Sequence, residues 1–211
     1  MSEPATNLAV ALVGNPNTGK STLFNALTGL RQRVGNYPGV TVARKSGTCD
    51  LGDGRKVELV DLPGLYSLAA ASPDEQVVTD ALAGKIAGER VPDVIVLVAD
   101  ATNLLRNLFL ASQLAELGRP AVLVLNQADV AREQGMRIDT ARLSARLGGI
   151  PVVLASAWKG EGVADVRRAI ARRPHGLRGA GARRHGVVLV AHRIFPSRGR
   201  AVRHEIGRAH V

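Results

Sequence analysis

The stretch Gly14-Asn15-Pro16-Asn17-Thr18-Gly19-Lys20-Ser21-Thr22 constrains this chain more than any other. It follows the apolar run LAVALV (8–13) and leads into LFNALTG. Gly14, Gly19, Lys20 and Ser21 fit G-x-x-x-x-G-K-[ST], in which the glycines let a row of backbone N–H groups turn inward around a phosphate. In such a loop the lysine bridges the β- and γ-phosphates and the serine hydroxyl ligates Mg²⁺. The flanks agree. The run before the loop is strand-like, and Leu23, Phe24 and Leu27 lie at helical spacing after it, so a helix N-terminus faces the phosphates.

Further strand-like runs occur at 57–60, 94–99, 121–125 and 150–154. Between them lie helical patterns. Ser72 reads as an N-cap, with Pro73 at the first helical position and Glu75 closing a capping box. Residues 103–117 put Leu104, Leu108, Ala111 and Ala115 on one face before Gly118. A third pattern spans 139–147, from Asp139 to a stop at Gly148, and a fourth, 162–171, aligns Val163, Val166 and Ile170. Strands alternating with helices predict an α/β fold with a mostly parallel sheet and helices on both faces. A length of 211 residues with 45% hydrophobic content suits one such domain, and with only 3% aromatics its core is aliphatic. The single cysteine, Cys49, excludes an internal disulfide and fits a reducing compartment. No apolar run approaches the length of a membrane span, and LAVALV lacks the basic leader of a signal peptide; the chain reads as soluble.

The net charge of +10 suggests nucleic acid until its distribution is examined. Residues 174–211 hold eight Arg, no Lys and one Glu, and so carry +7 of the total. This predicts a domain over 1–173 followed by a basic, poorly ordered tail over 174–211. The tail's Arg, Gly, Ala and His content matches an out-of-frame translation of GC-rich DNA, as from a frameshift or an assembly artefact. Its functional alternative is a basic arm for RNA or an anionic membrane, but it lacks lysines and interleaved aromatics.

Four more stretches narrow the phosphate loop to a guanine nucleotide. VDLPG places Asp61 at a strand end, where its carboxylate holds Mg²⁺ through water; Leu62 and Pro63 follow, and Gly64 offers an N–H to a γ-phosphate. In NQAD (126–129), Asp129 accepts two hydrogen bonds from the N1–H and N2–H₂ edge of guanine, a donor pair that adenine lacks. Asn126 ties this loop to the phosphate loop. Gln127 replaces the usual lysine, whose stem packs over the base. In SAWKG (156–160), Ser156 supports the loop, the Ala157 N–H reaches the guanine O6, and Trp158 lies by the base or on the surface. In VGNYPGVTVARKSG (34–47), Thr41 is the candidate switch threonine, its hydroxyl for Mg²⁺ and its N–H for the γ-phosphate. Gly39 and Val40 precede it in a segment built to order and disorder.

GNPNTGKST, VGNYPGVTVARKSG, VDLPGLYSL, SPDEQV, DATNLLRNLFL, LNQAD and LSARLG together resemble the cytosolic G domain of the ferrous iron transport protein B family, over about residues 5–173. The resemblance implies a Ras-like P-loop GTPase fold, with a six-stranded sheet carrying one antiparallel edge strand. It also implies a K⁺ ion ligated by Asn17 and switch carbonyls, and G-domain self-association. In the family a helical and then a membrane domain follow, which would put the full-length protein at the cytoplasmic face of the bacterial inner membrane. Gln127 departs from the family, where Met is usual.

The residue after DLPG is Leu65, where many GTPases place a water-orienting glutamine. Hydrolysis should therefore be slow. Arg31, Arg33 and Arg44 flank the switch and read as solvated surface charges. Catalysis would rest on Lys20, Thr41, Gly64 and Asn17. Two readings stand: a GTP-hydrolysing regulatory domain of a ferrous iron transporter, or a soluble ribosome-assembly or RNA-modification GTPase with a basic RNA-binding tail. A weaker third is a non-hydrolysing GTP sensor. The first favours no nucleic-acid partner.

Overall fold

Strict alternation along the central strands decides where the cores lie. In β1 (Leu8–Gly14), Ala11 and Val13 face one side while Val10 and Leu12 face the other. The same division holds in β5 (Val94–Asp100) and β6 (Ala121–Asn126), whose residues Ile95, Leu97, Leu123 and Leu125 oppose Val96, Val98, Val122 and Val124. Strands buried on both faces read as continuous apolar runs, which is why these three stand out in the sequence. Each fully buried Leu or Val side chain among them contributes about 1.5–3 kcal/mol through apolar burial.

The structure is a computed structural model that describes residues 8–70 and 72–172; the side chains of Ala115 and Glu116 lie outside that description. The proposed tail, 174–211, falls wholly outside it. With β2 (Gln32–Asn36), β3 (Ala43–Asp50), β4 (Lys56–Asp61) and β7 (Val152–Leu154), the sheet runs β2-β3-β4-β1-β5-β6-β7. The five strands from β4 to β7 are parallel; β3 runs against β4, and β2 against β3. The sheet therefore has seven strands rather than six, and the reversed strand β3 is not at the edge. The reason lies in β2: all five of its residues are exposed. Backbone pairing alone, from Gln32↔Gly47 to Asn36↔Ala43, holds it in place.

One core lies beneath α2 (Pro73–Ala83), α3 (Leu104–Glu116) and α5 (Thr140–Arg146), the other beneath α1 (Lys20–Thr28) and α6 (Val163–Ala171). Ser72 caps α2 as expected, accepting a hydrogen bond from the Glu75 N–H at 3.3 Å, with Pro73 in the first position. Asp139 caps α5, accepting from the Arg142 N–H at 2.8 Å. On α3, Leu108 and Ala111 are buried and Leu104 half-buried. Leu23, Phe24 and Leu27 of α1, and Val163, Val166 and Ile170 of α6, all turn inward. A six-residue helix, α4 (Ala128–Glu133), is too short to announce itself by periodicity. The consequence for the site is simple: β1, β4, β6 and β7 each hand their C-terminal loop to the same end of the sheet.

Candidate functional site: a phosphate loop joined to a base loop

The loop between β1 and α1 closes around Gly19, the N-cap of α1, which sits in the left-handed region at φ 77°. A Cβ there would strike the side-chain amide of Asn126, so this position requires glycine for its conformation and its space alike. No side chain caps α1, so its first N–H groups stay available to an anion. Within the loop, Asn15 is 4% exposed and neither of its amide atoms has a hydrogen-bond partner. Pro16 and Asn17 are exposed, whereas Thr18 is buried, its hydroxyl donating to the Asn15 carbonyl at 2.9 Å. Asn17 takes φ 65°, a conformation that asparagine tolerates better than most residues.

Asp61 ends β4 facing this loop. The Lys20 ammonium pairs with one carboxylate oxygen, and the Ser21 hydroxyl donates to the other at 3.2 Å. The chain after Asp61 then runs along β1: the Leu62 N–H bonds the Leu12 carbonyl at 3.1 Å and the Leu65 N–H the Gly14 carbonyl at 3.2 Å. Gly64 lies flat against Pro16, where a Cβ would come within 3.2 Å. Leu65 is fully buried, so the position of the usual water-orienting glutamine belongs to the core. Beyond it, Gln113 of α3 accepts from the Leu68 N–H at 2.8 Å and donates to the Ser67 hydroxyl at 2.9 Å, and Arg106 stacks 4.5 Å from the Tyr66 ring centre. No motif or spacing in the chain announces these links.

Asn126 joins the base loop to the phosphate loop. Its side-chain amide donates to the Thr18 carbonyl at 2.8 Å, and its oxygen accepts from the Ala157 N–H at 2.9 Å. Three loops thus meet on one buried residue. Gln127, at φ 61°, donates to the Asn17 carbonyl at 3.2 Å and makes a second tie between the same two loops. The Asp129 carboxylate accepts from the Lys159 ammonium at 3.0 Å. This hydrogen bond, assisted by one from Ser156, holds the Asp129 carboxyl below the usual carboxylate range. Lys159 also lies 3.6 Å from Glu133. Trp158 is 88% exposed.

Segment 34–47, expected as a switch able to order and disorder, is mostly the β2–β3 hairpin. Its connection is pinned by Tyr37, whose N–H bonds the Val42 carbonyl at 3.0 Å. Tyr37 is buried in the same core as Leu62, Leu65 and Val78, and burial pushes its unpartnered phenol well above its ordinary range. Gly39, Val40 and Thr41 are exposed on the connection, and no described contact joins Thr41 to Ser21 or Asp61. Arg31 and Arg33 are exposed as expected. Arg44 is not a free surface charge. It bonds Glu89 at 2.9 Å, Glu58 at 3.1 Å and the Ser46 hydroxyl at 2.9 Å, because the added strand pairing brings it over β4.

These residues fit a magnesium–nucleotide pair. Ser21 and Asp61 offer hard oxygen donors beside an uncapped helix N-terminus and a lysine, as Mg²⁺ shared with phosphates requires. Among the described residues no cluster of three His, Cys, Asp or Glu side chains exists to hold a metal by itself. No described helix is long and apolar enough to cross a membrane.

The comparisons agree with this geometry. The family model for ferrous iron transport protein B matches residues 8–170. The Fe(2+) transporter FeoB of Salmonella typhimurium is 48% identical over 169 residues; these are 78% of this chain but only 21% of that protein, so the chain spans about a fifth of the curated relative. An S. thermophilus NFeoB variant bound to GDP is 46% identical with a TM-score of 0.72, covering 79% of this chain and 63% of that one. The G domain of the T. maritima FeoB iron transporter is 40% identical with a TM-score of 0.70, covering 79% of this chain and 98% of that one. The fold is thus the Ras-like P-loop GTPase fold, and the chain belongs to the ferrous iron transport protein B family, of which it contains the G domain.

Proposed function

We propose that this domain binds GTP with Mg²⁺, hydrolyses it slowly to GDP and phosphate, and thereby regulates ferrous iron movement through a membrane domain at the cytoplasmic face of the bacterial inner membrane. The observation that carries this reading is the junction at Asn126, which ties a phosphate loop to a carboxylate-bearing base loop. Family membership favours it over the ribosome-assembly and RNA-modification alternative.

Asp129 reads the N1–H and N2–H₂ edge of guanine, and the Ala157 N–H bonds its O6. Lys20 exchanges Asp61 for oxygens of the β- and γ-phosphates. Ser21 supplies a hydroxyl ligand, Asp61 a carboxylate acting through water, and Thr41 a second hydroxyl brought in from the hairpin connection. Mg²⁺, when bound, draws charge from the β- and γ-oxygens. Gly64 donates its N–H to the γ-phosphate. Because Leu65 is buried and has no polar group, backbone groups or another residue must orient the attacking water, which keeps turnover slow.

Transition-state charge still needs a cation, and Asn17 is the candidate ligand for K⁺. Its side chain is exposed beside the phosphate loop and makes no hydrogen bond among the described residues. A cation held there by Asn17 would supply positive charge beside the phosphates, and if it bound best with the switch closed it would favour the transition state over the ground state. Hydrolysis is expected to run about tenfold or more faster in K⁺ than in Na⁺, about 1.4 kcal/mol of barrier. Asn17→Ala should erase the difference while GDP affinity stays near wild type. Steady-state turnover at matched ionic strength checks this, and equal wild-type rates in the two salts would remove the cation site.

Residues 174–211 take no part in nucleotide binding in this reading, since every residue named above lies before them. A protein ending at Arg173 should bind GDP within about twofold of the full chain. A tenfold loss by calorimetric titration would return the tail to the site.

A further inference from the structure

The guanine-reading carboxylate already has a donor. Lys159 lies 3.0 Å from Asp129 Oδ2. Guanine approaches with two donors of its own and needs both carboxylate oxygens. Lys159 has a second anion within reach, Glu133 at 3.6 Å, on the last turn of α4. The lysine side chain is half-exposed and that of Glu133 is largely exposed, and one ammonium position already lies within reach of both carboxylates.

We propose that Lys159 is an internal competitor for the guanine edge, released from Asp129 to Glu133 when the base binds. The proposal rests on the reading of Asp129 as the base-selecting residue. Its logic concerns the free state. Pairing with Lys159 stabilises the empty base loop, so the nucleotide must displace that contact on entry and is helped to leave by its return. A lysine that merely steadied Asp129 for the base would act in the opposite sense.

The two anions give the test its discrimination. Lys159→Met removes the competitor and should slow GDP release by about twofold to fivefold, the range set by an exposed ion pair. Glu133→Gln removes the alternate seat, leaves the lysine on Asp129, and should speed release. Asp129→Asn, assayed with xanthosine diphosphate, should lose the Lys159→Met effect, because the charge being competed for is gone. Stopped-flow displacement of a fluescent-labelled nucleotide reads all three. Release that is unchanged or faster in Lys159→Met, or slower in Glu133→Gln, overturns the competitor role. If Asp129→Asn fails to gain xanthosine nucleotide at all, the reading of Asp129 fails and the proposal goes with it. If that switch occurs but Lys159→Met does not slow release, the proposal alone is lost.

Discussion

Asp129→Asn is expected to turn the protein from guanosine to xanthosine nucleotides, with GTP affinity falling by about a hundredfold or more. A carboxylate presents two acceptors to the N1–H and N2–H₂ pair. An asparagine amide presents one acceptor and one donor, which suits the N1–H and O2 edge of xanthine instead. The wild type should reject ATP, since adenine has no matching donor pair. Because Lys159 and then Ser156 hold the Asp129 carboxyl below its usual range, the charged form persists at every pH above that range. The preference for guanine should therefore be lost only as pH falls through that lowered value. Competition titrations with a fluorescent nucleotide decide the matter: equal wild-type affinity for GTP and ATP, or an unaltered preference in the variant, would sink the assignment.

Asn126→Ala should be the most damaging single truncation in the site. It deletes a donor to the Thr18 carbonyl and an acceptor for the Ala157 N–H, both buried. Leaving two backbone groups without partners costs about 2–4 kcal/mol. For a domain of this size that corresponds to a Tm lower by about 4–16 °C. GDP affinity should fall as well, because the phosphate and base loops lose their common anchor; among the described residues, the Gln127 bond to the Asn17 carbonyl is the side-chain link left between them. Thermal melts with and without GDP separate the two effects. A variant that melts like wild type would show that the junction carries no load.

Much of this was legible in the chain itself, and the reason is periodicity. β1, β5 and β6 are apolar on both faces and border a glycine-rich loop, a capping box and two Asx-bearing turns. β2 and β3 escaped because QRVGN and ARKSGTCD show no alternation. β2 is wholly exposed, and of β3 only Ser46 and Cys49 are buried, so backbone pairing at a sheet margin leaves little trace in side-chain chemistry. Arg44 reads as a solvated charge for the same reason: it is the pairing of β3 that brings Glu58 and Glu89 to it. Tyr37 looked like part of a mobile segment, yet it is that segment's anchor in the core. The bonds of Gln127 to Asn17 and of Lys159 to Asp129 depend on rotamers across separate loops, which no spacing rule encodes. Thr41 is exposed on the hairpin connection, so its place in the site rests on residue type and motif rather than on a contact.

The junction at Asn126 also says when in the life of the chain a nucleotide site first exists. Its partners come from residue 18, 108 positions earlier, and residue 157, 31 positions later. A nascent chain that has emerged only through β5 has the phosphate loop but no base loop to brace it. Not until the strand and turn around residue 157 have left the ribosome can the three pieces lock, on the order of ten seconds after the first of them at ordinary synthesis rates. Until then the growing polypeptide has phosphate-binding sequence without a guanine-binding site, and nucleotide can reward only the finished sheet.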